Sequence, residues 1–370
     1  VGTPTNNYSG IFSGNGHTVS DLYISRENKT ETTLQGVGLF GYTKGATISK
    51  MTVYGDVTVH RETEKGKIER IGGIVGAVDG GKISELFSYV NITGIGELET
   101  PHVGGVAGEA TNTSDVFKCM YFGTIDFENT QDCIGGIVGY INTAEVRNCA
   151  NHGTLKTGHR NGFIGGVLGY LNNSGGSVHN CYNYGTVQNG GGRYSAAIIG
   201  MLRSHTASKI TDNYCLIGSA AAAFDTDVTN GTKNVSAPFK DKATFESGEV
   251  CYLVNSKTST GDKAVFKQNI DNGITPYDKY PVFDSEAVYF RSDNTYSNEP
   301  EKISVTISWG AMEFEYHSGL WNPDTHSYSG GWSPTNSNGD NISVQNDSNV
   351  ALNAEFSFTP DQTLEASYNL

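Results

Sequence analysis

The sequence predicts an all-β protein, a right-handed parallel β-helix or closely related β-solenoid, with a C-terminal cap and a small β-sandwich module. Three observations carry this: a glycine pulse that recurs along the first half of the chain, a β-branched segment at a fixed distance after it, and the composition. The pulse reads Gly36-Val-Gly-Leu-Phe-Gly41, Gly72-Gly-Ile-Val-Gly76, Gly104-Gly-Val-Ala-Gly108, Gly135-Gly-Ile-Val-Gly139, Gly165-Gly-Val-Leu-Gly169 and Ala196-Ala-Ile-Ile-Gly200. Aligned on positions 38, 73, 105, 136, 166 and 197, its steps are 35, 32, 31, 30 and 31 residues, a solenoid period with small insertions.

About ten residues after each pulse comes Ile48-Ser-Lys-Met51, Ile83-Ser-Glu-Leu86, Val116-Phe-Lys-Cys119, Val146-Arg-Asn-Cys149, Val178-His-Asn-Cys181 or Ile210-Thr-Asp-Asn213, with Val19-Ser-Asp-Leu22 as an upstream copy. A turn such as Tyr54-Gly55, Phe122-Gly123, His152-Gly153 or Tyr184-Gly185 follows, then another short strand, which gives three or so strands per repeat. One such unit cannot bury its apolar face. Stacking copies, each strand on its equivalent, buries a continuous column and pairs the backbone. A helical repeat would carry a glycine pair in every unit, at about 1 kcal/mol per glycine relative to alanine.

The composition agrees. Among 370 residues, 47 glycines and 20 tyrosines against four methionines suit short strands and tight turns. Hydrophobic residues make up 36%, low for one large globular core but enough for a narrow column. A net charge of −14 disfavours nucleic acid as a partner. No apolar run is long enough for a membrane span. The start at Val1 without a basic-then-apolar leader, together with a surface rich in Asn, Thr, Ser, Tyr and Gly, suggests an exported fragment.

Phe12-Ser-Gly-Asn-Gly-His-Thr-Val-Ser-Asp-Leu-Tyr-Ile24 followed by Gly38-Leu-Phe-Gly41 resembles the GLUG repeat. That repeat occurs in many bacterial surface proteins and in the non-catalytic part of immunoglobulin A1-cleaving metallopeptidases. The resemblance covers about residues 10–218, and Thr244–Asn255 with Tyr280-Pro-Val-Phe283 resembles the tail that follows such repeats. It implies a surface scaffold rather than one reaction.

Three domains are expected: the solenoid at 1–218, a cap at 219–290 with a short helix near 242–254, and a β-sandwich-like module at 301–370, after a polar linker at 291–300. From 219 the period is lost, and a covering segment is needed because a solenoid end exposes strand edges and an open core. The module reads as strands at 303–309, 312–316, 342–344 and 351–358, contains Trp309, Trp321 and Trp332, and resembles modules of Gram-positive surface proteins.

The candidate binding residues are Tyr54, Tyr89, Phe122, His152 and Tyr184, one repeat position just before the turn glycine, with Tyr182 and Tyr214 nearby. Facing outward, the column would be an aromatic stripe for stacking sugar rings; facing inward, it would be packing. Cys119, Cys149 and Cys181 also share one position, which Leu22, Met51 and Leu86 fill in earlier repeats. That pattern favours a buried core column, with a disulfide or a metal as alternatives. Cys133, Cys215 and Cys251 lack metal-ligand spacing.

No catalytic, metal or cofactor residues are assigned. Asp21, Asp56, Glu85, Asp126, Glu145 and Asp212 read as scattered over different columns, whereas a carbohydrate-active site needs converging acids. No histidine precedes a glutamate, so a His-Glu-x-x-His zinc motif is missing, and no Gly-x-Ser-x-Gly elbow occurs. Gly76–Lys82 nearly spells a phosphate loop, but Ile83 stands where Ser or Thr is required. Asp225–Gly231 loosely matches a calcium loop without its distal glutamate and reads as a polar turn. His102, His152, His159 and His179 read as surface residues of repeat loops.

The expected function is therefore that of a non-enzymatic, secreted or cell-wall-associated bacterial scaffold of adhesin type, part of a larger surface protein. Its partner would be a host or matrix protein or a glycan, with no nucleic acid and no membrane insertion. A polysaccharide-active enzyme on a β-helix and a purely structural spacer are the alternatives.

Overall fold

The computed structural model describes residues 1–28, 36–61, 69–96, 101–127, 133–158, 162–172, 175–189, 194–203, 209–226, 235, 237–257, 264–270, 277–310, 314–317, 319–335, 341–355 and 357. The chain divides into two compact units, Val1–Tyr289 with Tyr296–Asn298, and Phe290–Thr295 with Glu299–Leu370.

The first unit is a parallel β-solenoid. Strands Ile11–Asn28, Phe40–Arg61 and Val75–Ile95 stack in order, and further coils continue their register in shorter pieces. In the fourth to sixth coils, from His102 to Asn189, each turn holds five short strands rather than three, as in His102–Gly104, Ala107–Thr111, Asp115–Phe117, Met120–Tyr121 and Thr124–Phe127. The first of these joins a separate six-stranded parallel sheet, Gly36–Val37 to Tyr194–Ala196. The in-register columns point alternately in and out. Ile48, Ile83, Val116, Val146, Val178 and Ile210 form one buried inward row, and Val57, Ile92, Ile125, Leu155 and Val187 another.

From Gly72 onward the doublet glycines do not serve positive φ angles. A Cβ at Gly105 would lie 2.2 Å from the Gly136 carbonyl oxygen of the next coil and 2.3 Å from Tyr121 Cγ, so the position demands close backbone approach. Positive φ occurs elsewhere, in a column of side-chain-bearing corner residues: Asp21 (57°), Lys50 (58°), Glu85 (54°), Lys118 (58°), Asn148 (51°), Asn180 (55°) and Asp212 (52°). Asn and Asp tolerate this left-handed bend best.

Stacking runs past the expected boundary at 218. Phe224–Thr226 pairs with Ile199 and Leu202, and Phe239–Lys240 pairs with Cys215 and Leu216. Ala220–Phe224 thus acts as a further pulse with alanines in place of glycines, and Ala223, Phe224, Val235 and Phe239 pack onto the end of the core. At the opposite end, Val19, Leu22 and Ile24 are only partly buried. There the strand Ile11–Asn28 carries register shifts at Ser13/His17 and Val19/Leu22. Such irregularities interrupt an edge and weaken it as a template for pairing.

The described residues 241–257, 264–270 and 277–288 pack along the solenoid flank as a brace, with helices α1 (Lys242–Glu246) and α2 (Glu249–Val254) where one short helix was expected. Asp241 caps α1 by accepting from the Thr244 N–H at 2.8 Å. Phe245, Val250, Cys251, Val254, Phe266 and Phe283 then build a second core against outward solenoid residues Met120, Ala150, Tyr182 and Tyr214.

In the second unit the expected β-sandwich is not confirmed among the described residues. Its described strands form three two-stranded antiparallel ladders, Val305–Trp309 with Ile342–Asn346, Phe314–His317 with Gly331–Pro334, and Trp321–Asn322 with Ser327–Tyr328. The first ladder is exposed along both strands, and residues 351–355 are not a strand. Pairs of strands alone supply no second sheet against which to bury an inner face.

Candidate functional site

The five candidate aromatic positions do form one column, on the outer flank. Tyr54 and Tyr89 stack at 4.4 Å and 13°, Tyr89 and Phe122 at 4.6 Å and 7°, and Phe122 and His152 at 4.9 Å and 11°. Tyr184 continues the row from His152 at 5.6 Å, tilted by 38°. Parallel in-register strands bring like positions one strand spacing apart, which is also the ring-stacking distance. The rings therefore turn their faces to one another along the solenoid axis and present edges outward. A sugar laid across such a ladder meets ring edges rather than a flat face.

The brace covers the later rungs. Tyr280 lies 4.1 Å from the His152 ring and 5.1 Å from Tyr184, Phe245 lies 5.1 Å from Tyr184, and Phe283 lies 5.8 Å from Phe87. Tyr54 alone among the five is exposed, at 43%. The left-handed corner column anchors the same brace: Asn180 donates to the Val254 carbonyl at 2.6 Å and to Ser256 Oγ at 2.8 Å, and Ser256 Oγ donates to Asp212 at 3.1 Å.

His152 is a packed residue of this interface, not a loop surface residue. The Tyr182 hydroxyl donates to the Pro281 carbonyl, so it accepts from His152 Nε2–H at 2.9 Å, which leaves Nδ1 bare and without a partner. Burial lowers the imidazole pKa from 6.5 to about 3. Because the folded value is depressed, its contribution to stability is complete above pH 6.5 and declines as pH falls toward 3, where the unfolded chain takes up a proton that the folded one refuses. Stability should fall by at most about 1.4 kcal/mol per pH unit from this group over that window. His152→Phe should flatten the slope in urea titrations at pH 7, 5.5 and 4; an unchanged slope would refute the assignment.

Cys119, Cys149 and Cys181 are fully buried members of the inward row and are free thiols, as are the other three cysteines. Burial pushes the Cys119 and Cys181 thiols well up. The next position in that row is Asn213, whose amide is satisfied by the Val178 carbonyl at 3.0 Å and the Cys181 N–H at 3.1 Å. An aromatic disulfide reagent should titrate none of the six thiols in the native protein and all six in denaturant. Rapid labelling of the native chain would contradict the buried row.

Two further arrangements were not visible in the repeat alignment. In the corner between the six-stranded sheet and the following strands, Glu109 Oε2 meets His102 Nδ1 at 2.7 Å and Arg70 Nε at 2.7 Å, and His102 stacks on Tyr140 at 4.2 Å. Burial alone would raise the Glu109 carboxyl, but hydrogen bonds from His102 and Arg70 outweigh it and hold the pKa below the usual range. His102 is thus buried too.

The second is an open cleft of about 440 Å³ lined by Thr113, Ser114, Asp115, Thr143, Ala144, Glu145, Gly175, Ser177, His179 and Lys209. Register places Glu145 between Asp115 and Ser177 on successive coils. Arg147 holds Asp115 through Nε at 3.1 Å and Nη2 at 2.9 Å, and stacks on Phe117 at 4.0 Å. His179 Nε2 meets Glu145 at 2.8 Å. The acids are less scattered than their sequence spacing suggests. Asp21, Glu85 and Asp212 share the corner column, interleaved with lysines such as Lys118, 3.9 Å from Glu85, while Glu145 neighbours Asp115.

Among the described residues, no group of three or more His, Cys, Asp or Glu side chains is placed to hold a metal ion. Gly76–Lys82 lies within the strand Val75–Ile95, with a bend at Gly80 and Gly81, rather than before a helix. Most of the calcium-like turn and His159 lie outside the described residues. No described helix is long and apolar enough to cross a membrane. Comparison with known proteins finds no matching family model, no matching curated protein and no matching solved structure.

Proposed function

We propose that this protein is a non-enzymatic, secreted or cell-surface bacterial scaffold of adhesin type, whose solenoid holds binding surfaces in fixed register for host, matrix or glycan ligands. The observation that supports this reading is the continuous parallel ladder from Ile11 to Lys240, stiffened along one flank by the brace at 241–288. Each coil is locked to the next by backbone hydrogen bonds and a shared core, so side chains on neighbouring coils keep their spacing without ordering cost on binding. The GLUG resemblance supports the surface location. The described solenoid surface away from the brace, rather than the braced aromatic column, is the surface proposed for a partner.

The test is binding of the full chain to arrays of matrix proteins, host glycoproteins and free glycans. Saturable binding to at least one class is expected; no binding at about millimolar ligand, the weak end of specific recognition, would sink the proposal. Tyr54→Ala should leave stability nearly unchanged, because its ring is at the exposed end of the ladder. A thermal melt shifted by more than a surface substitution typically gives, about 0.5 kcal/mol, would show that Tyr54 is part of the packing instead.

A further inference from the structure

We infer that the cleft spanning Asp115, Glu145, His179 and Lys209 is a binding site for a neutral polyhydroxylated chain, an uncharged oligosaccharide lying along the solenoid axis. The inference rests on the scaffold reading above and assigns one ligand class to one surface. Its first support is shape. The lining comes from four successive coils, contributing Thr113 to Asp115, Thr143 to Glu145, Gly175 to His179, and Lys209. Three strand spacings make the cleft about 14 Å long, an elongated seat rather than a pit for a compact molecule.

Its second support is charge. Asp115 is paired with Arg147 at 2.9 Å and faces Lys82 at 3.7 Å, and Glu145 is paired with His179 at 2.8 Å and Arg147 at 3.4 Å. Each lining carboxylate therefore already has a cationic partner to compete with a cationic ligand, and among the described lining residues Lys209 stands outside these pairs as a donor. A neutral ligand leaves them in place.

Its third support is the inventory of unused hydrogen-bonding capacity. Each carboxylate has about four lone-pair sites, more than its partners occupy, and Lys209 uses one of its three N–H donors on the Gly175 carbonyl at 3.2 Å. The Thr143 and Ser177 hydroxyls add groups that both donate and accept. A ligand that matches this set must donate to carboxylates and accept from an ammonium at short intervals. Hydroxyl groups do both, and a sugar chain repeats them along its length. The parallel register fixes the spacing of these groups before a ligand arrives.

The test uses the full chain and three neutral probes, cellohexaose, maltohexaose and mannohexaose, titrated by heteronuclear NMR or calorimetry up to about 10 mM, the range of weak single-site binding. At least one is expected to bind, with an affinity that Glu145→Gln and Lys209→Ala each lower by about tenfold or more, the worth of a hydrogen bond to a charged group. Tyr54→Ala should leave it unchanged, and raising salt should have little effect, since the ligand is neutral. Circular dichroism verifies that each variant is folded, and if one fails to fold the other decides. Absence of binding by all three probes, or a bound probe held equally well by both variants, overturns the site. So does preference for an oligolysine peptide or a charged glycan. The array separates the two ideas: binding to a matrix protein with no neutral probe in the cleft overturns this inference alone, whereas binding to nothing removes the scaffold reading as well.

Discussion

Gly105→Ala should prevent the solenoid from closing its fourth coil, lowering stability by about 4 kcal/mol or more, a large fraction of what a domain possesses. The added Cβ would meet the Gly136 carbonyl oxygen at 2.2 Å and the Tyr121 ring at 2.3 Å. Neither can withdraw. The oxygen belongs to the backbone of the next coil, whose neighbouring Gly135 carbonyl accepts the Gly105 N–H at 3.1 Å, and Tyr121 is fully buried with its hydroxyl on the Val90 carbonyl at 3.0 Å. Moving one coil strains every coil stacked on it. Urea unfolding followed by circular dichroism measures the effect, and a midpoint within error of wild type would show that the coils have slack. Ala196-Ala197 at the same position is tolerated for a local reason. There the Ala197 N–H bonds to the carbonyl of Ala222, the residue aligned with Ala197 itself, whereas the Gly105, Gly136 and Gly166 N–H groups bond to the residue aligned one position earlier.

Tyr182→Ala should release the brace from the flank while the inner column stays formed. Its ring is fully buried, packs on Phe266 at 5.3 Å and Phe245 at 5.8 Å, and lies edge-on to His152 at 5.4 Å. The hydroxyl joins His152 of one coil to Pro281 of the brace. Removing a buried aromatic costs about 3–5 kcal/mol through lost burial and the cavity left behind. The loss falls on the second core, so proteolysis should cut within 241–288 first and leave a protease-resistant solenoid. Cleavage spread evenly over the chain would show that solenoid and brace unfold as one unit. Tyr182→Phe, which keeps the ring but leaves His152 Nε2–H and the Pro281 carbonyl unpaired, should cost about 1–3 kcal/mol.

These two residues mark what the repeat alignment could and could not disclose. The Gly-Gly-apolar-apolar-Gly pulse disclosed the stacked coil because a recurring step of 30 to 35 residues has one economical meaning, repetition of a unit that buries itself only on its neighbours. The cysteine row was legible for the same reason: Leu22, Met51 and Leu86 occupy its position elsewhere, and an apolar alternation identifies an inward column. The aromatic column was recognised as a column, but its direction was not. One repeat position read alone has no phase, and Tyr54 and Tyr184 look alike although only the first remains exposed.

Linear spacing was silent on everything made by contacts between unlike elements. The brace brings Phe245, Phe266 and Phe283 against coils formed much earlier in the chain, as where Phe283 meets Phe87, and no period links them. The Arg70, His102 and Glu109 cluster joins two different columns across a corner, and the cleft joins Asp115, Glu145, His179 and Lys209 across four coils. The β-sandwich expectation is not confirmed, for a related reason. Alternation in Ile303–Trp309 predicts a strand with two unlike faces, but only a second sheet can make one of them interior. By itself, then, the sequence determined a parallel stacked coil, because hydrophobic period and backbone pairing are properties of the repeat. The tertiary structure alone decided which face of that coil is covered, which histidine is kept neutral and which acids meet, because these depend on where distant segments dock.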